Sequence, residues 1–251
     1  MTVTVLHPTF EKMLRRLERR SPLGEEDRKA LLSLPATVRK LAAGAHVIRD
    51  GEPAELCCLL LSGFAYRYKL TGEGGRQIVS FHVAAEFLDL QNSFLGVADH
   101  SVQMLTDAEI ALIPSAALQE LALTRPAIGR ALWIDTLIDA SIFREWVVNV
   151  GRRDSRARVA HLLCEFSLRL EAAGLASNHR YELPMTQEQL ADAVGLTSVH
   201  VNRVLKQLGE EGLIRRDRRS ITIEDWGRMR AAGDFNERYL HHDAMNGGGG
   251  A

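Results

Sequence analysis

The spacing of small and apolar residues over residues 186–207 constrains the fold of this chain more than any other feature. A small residue at Ala191, a glycine at Gly195 and an apolar residue at Val201 form the pattern A-x3-G-x5-V. Alanine lets a second helix cross closely, and glycine adopts positive φ in a tight turn without a Cβ penalty. Val201 and Val204 would form the inner face of that second helix. The pattern predicts a helix-turn-helix whose outer face can enter the major groove of DNA.

The segment after this motif predicts a wing. Residues 213–215 and 220–223 form two short strand-like runs on either side of a basic turn, as in a β-hairpin. Residues 197–220 contain six Lys or Arg and three Asp or Glu, a local net charge of +3 in a chain whose formal net charge is −1. A basic turn of this kind is also typical of a solvated loop. For residues 186–207 taken alone, the alternative is an ordinary helical hairpin in a protein core. Beside a helix-turn-helix, the basic turn indicates contacts to DNA phosphates. The predicted DNA-binding residues are Thr186, Gln187, Thr197, Ser198, Val199, His200, Asn202, Arg203, Lys206, Arg215, Arg216, Arg218 and Arg219.

The length and composition are those of a globular protein large enough for two domains. The chain has 251 residues, of which 46% are hydrophobic. No apolar run approaches the roughly 20 residues of a membrane span, and the N-terminus lacks the apolar stretch of a signal peptide. We therefore expect a cytoplasmic protein with no membrane partner. The three cysteines are Cys57, Cys58 and Cys164, and none are in C-x-x-C spacing. Cys57 and Cys58 should point to opposite faces of a strand, as ordinary residues of a reduced protein.

The rest of the chain divides into segments with helix-like and strand-like sequence patterns. Residues 9–35 predict two short helices, and residues 36–113 predict many short strands of a sandwich or barrel. Residues 115–125 and about 126–150 predict helices, the second about 25 residues and ~37 Å long. Asp154 or Ser155 can cap a further helix over residues 155–173. The fold class is therefore α+β.

The long helix is apolar on more than one side, which predicts two sets of partners. One is the strand-rich domain of the same chain, and the other is the same helix in a second subunit. Complete coverage within one chain is the alternative. The residues predicted to form the dimer helix are Ile128, Leu132, Leu137, Ile138 and Ile142.

This order of parts resembles the Crp/Fnr family of bacterial transcription regulators over roughly residues 20–235. The resemblance is carried by LAAGAHVIRDGEPAELCCLLLSGFAYRY, by DSRARVAHLLCEF and, most specifically, by LPMTQEQLADAVGLTSVHVNRVLKQLGEEGLI. It implies a cyclic-nucleotide-binding-like β-roll with N-terminal helices (1–125), a long dimerisation helix and hinge (126–153), a winged helix-turn-helix (154–235) and a tail (236–251). We expect the end of that tail, with its glycine run at 247–250, to be disordered.

The resemblance also implies partners. A homodimer would place its two winged helices on double-stranded DNA, at half-sites about 34 Å apart on a near-palindrome. RNA polymerase would be a further partner if the protein is an activator.

The recognition helix departs from the family pattern at a position that reads bases. The family run S-R-E-T-V-x-R corresponds here to residues 197–203, with Val199 in place of the Glu. Valine cannot accept a hydrogen bond from cytosine, but it can contact a thymine methyl group. Arg203 matches the family's Arg, which can bind guanine, and Asn202 could contact adenine or a phosphate. We therefore expect an operator unlike that of the cyclic-AMP receptor.

The sensor cassette departs further. Cyclic-nucleotide binders of the family carry F-G-E-L followed by R-S or R-T, whereas this chain has Phe87-Leu88-Asp89-Leu90 and then His100-Ser101. Leu88 replaces a glycine, Asp89 is shorter than Glu, and His100 is a poor substitute for a guanidinium. These changes predict that neither cyclic AMP nor cyclic GMP is the effector, and no cofactor is expected.

The family's iron–sulfur sensors carry an N-terminal cysteine cluster, and no cysteine precedes Cys57. An iron–sulfur cluster is therefore not expected. Haem bound through His82, His100 or a cysteine stays an open alternative.

Two other functional classes remain as alternatives. A cupin-like metalloenzyme would also have a strand-rich N-terminal half. However, His46, His82 and His100 do not have the H-x-H spacing of such an enzyme. We therefore expect that the protein is not an enzyme. A β-roll binding or protein-interaction module that has lost DNA binding is the other alternative. Arg203 and the basic turn argue against it.

Overall fold

The structure, a computed structural model of the chain, describes residues 7–242. These form two compact units, one of residues 7–67 and 81–140 and one of residues 68–80 and 141–242. The helices are α1 (Pro8–Glu18), α2 (Glu25–Leu32), α3 (Asn92–Leu95), α4 (Ser115–Thr124), α5 (Pro126–Arg152), α6 (Ser155–Ala172), α7 (Gln187–Val194), α8 (Ser198–Glu210) and α9 (Trp226–Ala232), followed by a 3-10 helix (Glu237–Leu240). The fold is α+β, and the end of the tail at 247–250 lies outside the described residues.

Three sheets contain the ten strands of the described chain. The strands are β1 (Thr37–Leu41), β2 (His46–Ile48), β3 (Leu56–Ser62), β4 (Ala65–Leu70), β5 (Arg76–His82), β6 (Ser101–Met104), β7 (Ala108–Pro114), β8 (Arg180–Glu182), β9 (Ile214–Asp217) and β10 (Ser220–Ile223). Their orders are β1-β7-β3, β2-β6-β4-β5 and β8-β10-β9. The first two sheets form the β-roll, and the third forms the wing.

Strand β3 is buried on both faces, which explains its continuous apolar sequence. Cys57 belongs to an apolar cluster that also contains residues of α1, α4 and α5, whereas Cys58 belongs to a separate cluster. The two adjacent cysteines therefore point to opposite faces of the strand, as predicted. Burial raises the pKa of both thiols well above the usual range, so neither is a reactive thiolate at neutral pH.

Charge pairs with at least one buried partner join the first half of α5 to the rest of the first unit. Arg16 of α1 donates to Glu86 over 2.8 Å and to Asp135 of α5 over 3.1 Å. Arg67 of β4, which is 2% exposed, forms an ion pair with Asp139 of α5. Removing one partner of such a pair leaves an uncompensated buried charge, which is strongly destabilising. These pairs therefore hold the first half of α5 against α1 and β4.

Helix α6 packs against α7, α8 and α9 in the second unit. The side chain of Asp154 caps it, because Oδ1 accepts a hydrogen bond from the Ala157 backbone N–H over 2.8 Å, as the sequence predicted. The wing has one strand more than predicted. Strand β8 pairs with β10, with Tyr181 opposite Ile221, so that the wing is a three-stranded sheet.

The first part of the predicted tail belongs to this unit, which corrects the boundary at residue 236. Tyr239 and Leu240 are buried, and Tyr239 donates from its hydroxyl to Glu165 of α6 over 2.8 Å. His161 of α6 lies 3.0 Å through Nε2 from the same hydroxyl and 3.2 Å through Nδ1 from the Gly233 carbonyl oxygen. Residues 236–242 therefore help to cover α6.

His161 should make the second unit less stable in acid. Burial, with the positive charge of Arg153 nearby, lowers the pKa of His161 to about 4. An unfolded histidine takes up its proton near pH 6.5. The free energy of unfolding therefore decreases as the pH falls from about 6.5 towards 4. The stability associated with neutral His161 is fully present only above that pH range. We expect His161 alone to lower the free energy of unfolding by about 2 kcal/mol between pH 7 and pH 5.

The measurement is urea unfolding at both pH values, followed by tryptophan fluorescence, to which Trp146 and Trp226 of the second unit contribute. His161→Gln should show a pH effect smaller by about 2 kcal/mol. The control, His200→Gln on α8, should retain the wild-type effect. An equal pH effect in His161→Gln and wild type would contradict this account.

Candidate nucleic-acid interface

A capping box and a glycine turn set the geometry of α7 and its connection to α8. Thr186 Oγ1 accepts a hydrogen bond from the Gln189 backbone N–H over 3.2 Å, and Gln189 Oε1 accepts one from the Thr186 backbone N–H over 2.9 Å. Gly195 ends the helix at φ +64°, in the left-handed region. The Leu196 backbone N–H then donates to the Ala191 carbonyl oxygen over 3.1 Å. The predicted glycine turn is confirmed.

Helix α8 has one buried and one exposed face. Its inner face consists of four buried residues, Val201, Val204, Leu205 and Leu208. On the other face, Asn202 and Arg203 are exposed, and Val199 is 70% exposed. The side chain of Thr197 caps the helix by accepting from the His200 backbone N–H over 3.3 Å. The first N–H groups of α8 add partial positive charge at this end, which favours contact with a phosphate.

A hydrogen bond joins the two helices of the motif at the exposed surface. Gln187 Nε2 donates to Asn202 Oδ1 over 3.1 Å. Both residues are exposed, and both were predicted from the sequence to contact DNA. The bond orients the Asn202 amide and occupies one acceptor site of its oxygen, while the oxygen keeps a second lone pair. No pattern in the sequence indicated that these two residues interact.

The basic residues of the interface differ in how far they are neutralised. Arg215 Nε lies 2.5 Å from Glu224 Oε1, and Lys206 Nζ lies 3.4 Å from Glu210 Oε1. Within residues 7–242, the structure shows no ion pair for the other four, which are exposed: Arg203, Arg216, Arg218 and Arg219. Their charge is therefore available to a polyanion. Arg218 also has φ +53°, a conformation that side chains other than glycine and asparagine rarely adopt.

The predicted effector-pocket residues are mostly used to build the roll. Phe87 and Leu88 lie in its two apolar clusters. Asp89 Oδ1 accepts a hydrogen bond from the Cys58 backbone N–H over 2.7 Å, and burial raises its pKa to about 6. Ser101 Oγ accepts from the Asp50 backbone N–H over 3.1 Å. Of the five, Asp89 lines a cavity of about 300 Å³ in the roll.

The histidines considered for haem are both buried. His82 Nδ1 lies 3.1 Å from Glu86 Oε2, and His100 Nδ1 lies 2.6 Å from Asp99 Oδ1. Burial lowers the pKa of His82 to about 4 and also lowers that of His100. Neither lines the 300 Å³ cavity, so this cavity offers no histidine ligand from either position. Within residues 7–242, no group of three or more His, Cys, Asp or Glu side chains is placed to hold a metal ion.

Comparison with known proteins agrees with the two-part organisation. The family model of a cyclic nucleotide-binding domain matches residues 38–125, and that of a Crp-like helix-turn-helix domain matches residues 157–232. The chain belongs to the Crp/Fnr family. It is a DNA-binding transcription regulator, as its motif and wing predicted. Among the helices described within residues 7–242, none combines the length and the apolar character of a membrane span.

Relatives of this Crp/Fnr regulator cover most of its length. It is similar to the transcriptional activator protein FnrL of Cereibacter sphaeroides, at 27% identity over 79% of this chain and 82% of that relative. It is also similar to the nitrogen fixation regulation protein FixK of Rhizobium meliloti, at 28% identity over 77% of this chain and 86% of the relative. The solved structure of FixK2 from Bradyrhizobium japonicum matches with a TM-score of 0.73 and 26% identity, over 79% of this chain and 98% of that one.

The structure corrects the residues assigned to the dimer helix. Four of the five are already buried within their own chain, namely Ile128, Leu132, Ile138 and Ile142. Only Leu137 of that set is exposed, at 54%. Helical periodicity identified the apolar positions of α5 but could not distinguish the side facing the roll from the side facing outward.

Arg218→Gly should separate folding from DNA binding. Glycine adopts positive φ without a Cβ penalty, so the free energy of unfolding should stay the same or rise by up to about 1 kcal/mol. DNA affinity should fall, because one unpaired charge of the wing is lost, and the slope of log affinity against log salt should become shallower by about one unit. Urea unfolding and fluorescence anisotropy measure the two effects. Equal affinity and equal salt slope would show that Arg218 does not contact DNA.

Proposed function

We propose that this regulator binds DNA as a homodimer through an exposed stripe on α5. Trp133 is 70% exposed, Leu137 54% and Val147 69%. With Ala140, they follow one another at intervals of four, three and seven residues. This is the 3.5-residue repeat of a helix packed along a second helix. The stripe is separate from the buried residues that hold α5 to its own chain.

In such a dimer the two α8 helices would read the two halves of a near-palindromic operator, about 34 Å apart. The exposed outer face of α8 is the observation that carries this proposal. Arg203 would donate to guanine O6 and N7, and Val199 would contact a thymine methyl group. Asn202, oriented by Gln187, would meet adenine or a phosphate. The unpaired arginines of the wing would bind phosphates beside each half-site.

We further propose that the signal is not a cyclic nucleotide. Two observations support this: Asp89 Oδ1 already accepts a hydrogen bond from the Cys58 backbone N–H, and the side chain of Leu88 is buried where the family's binders have a glycine. An effector that stabilises the folded protein raises its melting temperature. Cyclic AMP and cyclic GMP should therefore leave both the melting temperature and the operator affinity unchanged.

The relatives named as transcriptional activators support a further proposal, that the DNA-bound dimer contacts RNA polymerase in the cytoplasm. Transcription in vitro from a template carrying the operator tests it. Activation that depends on the operator is expected. A template whose transcription falls when the protein binds would indicate a repressor instead.

The operator can be recovered by selecting bound fragments from random DNA at a stated salt concentration. Arg203→Ala should then weaken binding to that operator by about 1–3 kcal/mol and relax the preference at one base pair of each half-site. Fluorescence anisotropy measures the first effect and a repeated selection the second. Wild-type affinity and specificity in this variant would remove Arg203 from the reading surface.

Leu137→Asp should dissociate the proposed dimer. Two aspartates on facing helices would place buried charges where apolar side chains packed. Sedimentation should show a monomer at concentrations where the wild type is a dimer, and DNA affinity should fall with it. The matched control is Leu123→Asp on α4, because Leu123 is 81% exposed but lies outside the stripe. A dimeric Leu137→Asp variant would contradict the assignment of this stripe.

A further inference from the structure

The tip of the β4–β5 hairpin, residues 68–80, belongs to the second unit and contacts α7 there. Arg76, the first residue of β5, donates from Nε to Asp192 Oδ2 over 2.6 Å, and its Nη2 lies 3.8 Å from Glu188 Oε1. Gln77 Nε2 donates to the Ala193 carbonyl oxygen over 3.2 Å. Two consecutive residues of the hairpin therefore bind three positions along one helix of the DNA-reading motif.

The tip of this hairpin is closed by its own hydrogen bonds. The backbone N–H of Thr71 donates to the Gly75 carbonyl oxygen and that of Gly74 to the Thr71 carbonyl oxygen, both over 2.9 Å. The Gly75 N–H donates to Thr71 Oγ1 over 3.0 Å, and Gly74 has φ +82°. Arg76 follows directly on this closed turn. Its position is therefore set by a defined backbone as well as by its partners on α7.

The contacts satisfy specific needs of α7. The last carbonyl groups of a helix have no partner inside it, and Gln77 supplies one for Ala193. Glu188 and Asp192 are four residues apart, so two like charges lie on one side of α7 and repel each other. The guanidinium of Arg76 lies near both carboxylates, and a cation near the C-terminal end of a helix also interacts favourably with its dipole.

We propose that Arg76 is a positioning residue for DNA binding. By holding Glu188 and Asp192, it fixes α7, and through α7 it fixes the direction in which α8 presents its outer face. It also neutralises two carboxylates on a helix whose first residues approach the DNA backbone. A shift of residues 68–80 would therefore change the reading surface directly. This inference rests on operator binding by the proposed surface.

Simple removal of the pair is not the sharpest test. Arg76 and Asp192 are 27% and 22% exposed at their side chains, and partly exposed pairs are weakened by solvent. Charge reversal has a larger effect, since Arg76→Asp would bring a third carboxylate to Glu188 and Asp192. The double variant Arg76→Asp with Asp192→Arg restores an ion pair of opposite direction. A control with the same change of charge is Arg49→Asp, on an exposed turn of the first unit.

Affinity for the selected operator is measured by fluorescence anisotropy with the full-length chain. Arg76→Asp should lower it by about tenfold, and the swapped pair should restore it to within about threefold of wild type. Arg49→Asp should stay within about threefold as well, because one distant charge is largely screened. Hydrogen exchange should show faster opening of residues 187–194 in Arg76→Asp and recovery in the swapped pair.

Rescue by the swapped pair is a result that general damage to the fold would not give. If Arg76→Asp unfolds, the neutral cycle of Arg76→Gln, Asp192→Asn and the double variant replaces it, and the two single losses should then not add. Wild-type affinity in Arg76→Asp, higher affinity, or a swapped pair no better than the single variant would each overturn the proposal. If the wild type selects no operator at all, the proposed function fails first, which distinguishes the two failures.

Discussion

The packing of α8 on α7 is the constraint on which the DNA-reading surface depends. Four apolar side chains of α8 are buried, each contributing about 1.5–3 kcal/mol by removal from water. They can do so only because Gly195 turns the chain at positive φ and Ala191 leaves room for the crossing helix. Because the inner face of α8 packs into the core, the outer face is not needed for that packing. The polar and apolar residues on the outer face can therefore vary with the bases that they contact.

The electrostatics of the protein follow from this separation. The chain is nearly neutral overall, with a formal net charge of −1. Its attraction for DNA must therefore come from a local concentration of charge around α8 and the wing. Two of the basic residues there are paired with surface carboxylates, but the exposed arginines at 203, 216, 218 and 219 show no such pair within residues 7–242. Arg218 retains its charge in a backbone conformation that glycine would adopt more easily.

The sequence predicted the parts of the fold that repeat or that demand a particular residue. The glycine turn, the cap at Asp154, the long helix and the basic wing each have a local signature. Strand β8 and the helical turn at residues 237–240 were missed, since each is stabilised mainly by distant partners, such as Ile221 for Tyr181 and Glu165 for Tyr239. Single polar contacts between distant residues leave no periodic pattern.

The same limit explains the errors and omissions at the functional surfaces. Helical spacing showed that α5 is apolar on several sides, but the buried set and the exposed set could be separated only in three dimensions. In the sensor cassette, the sequence showed the change from Glu to Asp. It did not show that Asp89 accepts a hydrogen bond from the Cys58 backbone N–H. The contacts of Arg76 and Gln77 join positions more than a hundred residues apart and were likewise missed.

The central claim is that the outer face of α8 reads the operator, and Val199 offers its most direct test. Operators are selected from random DNA with the wild type and with Val199→Glu, under identical salt. Because a carboxylate accepts a hydrogen bond from cytosine N4 and valine does not, the selected base should change towards a G·C pair at one position, symmetrically in both half-sites. An unchanged operator, or weaker binding with the same preferences, would contradict the claim that this face reads bases.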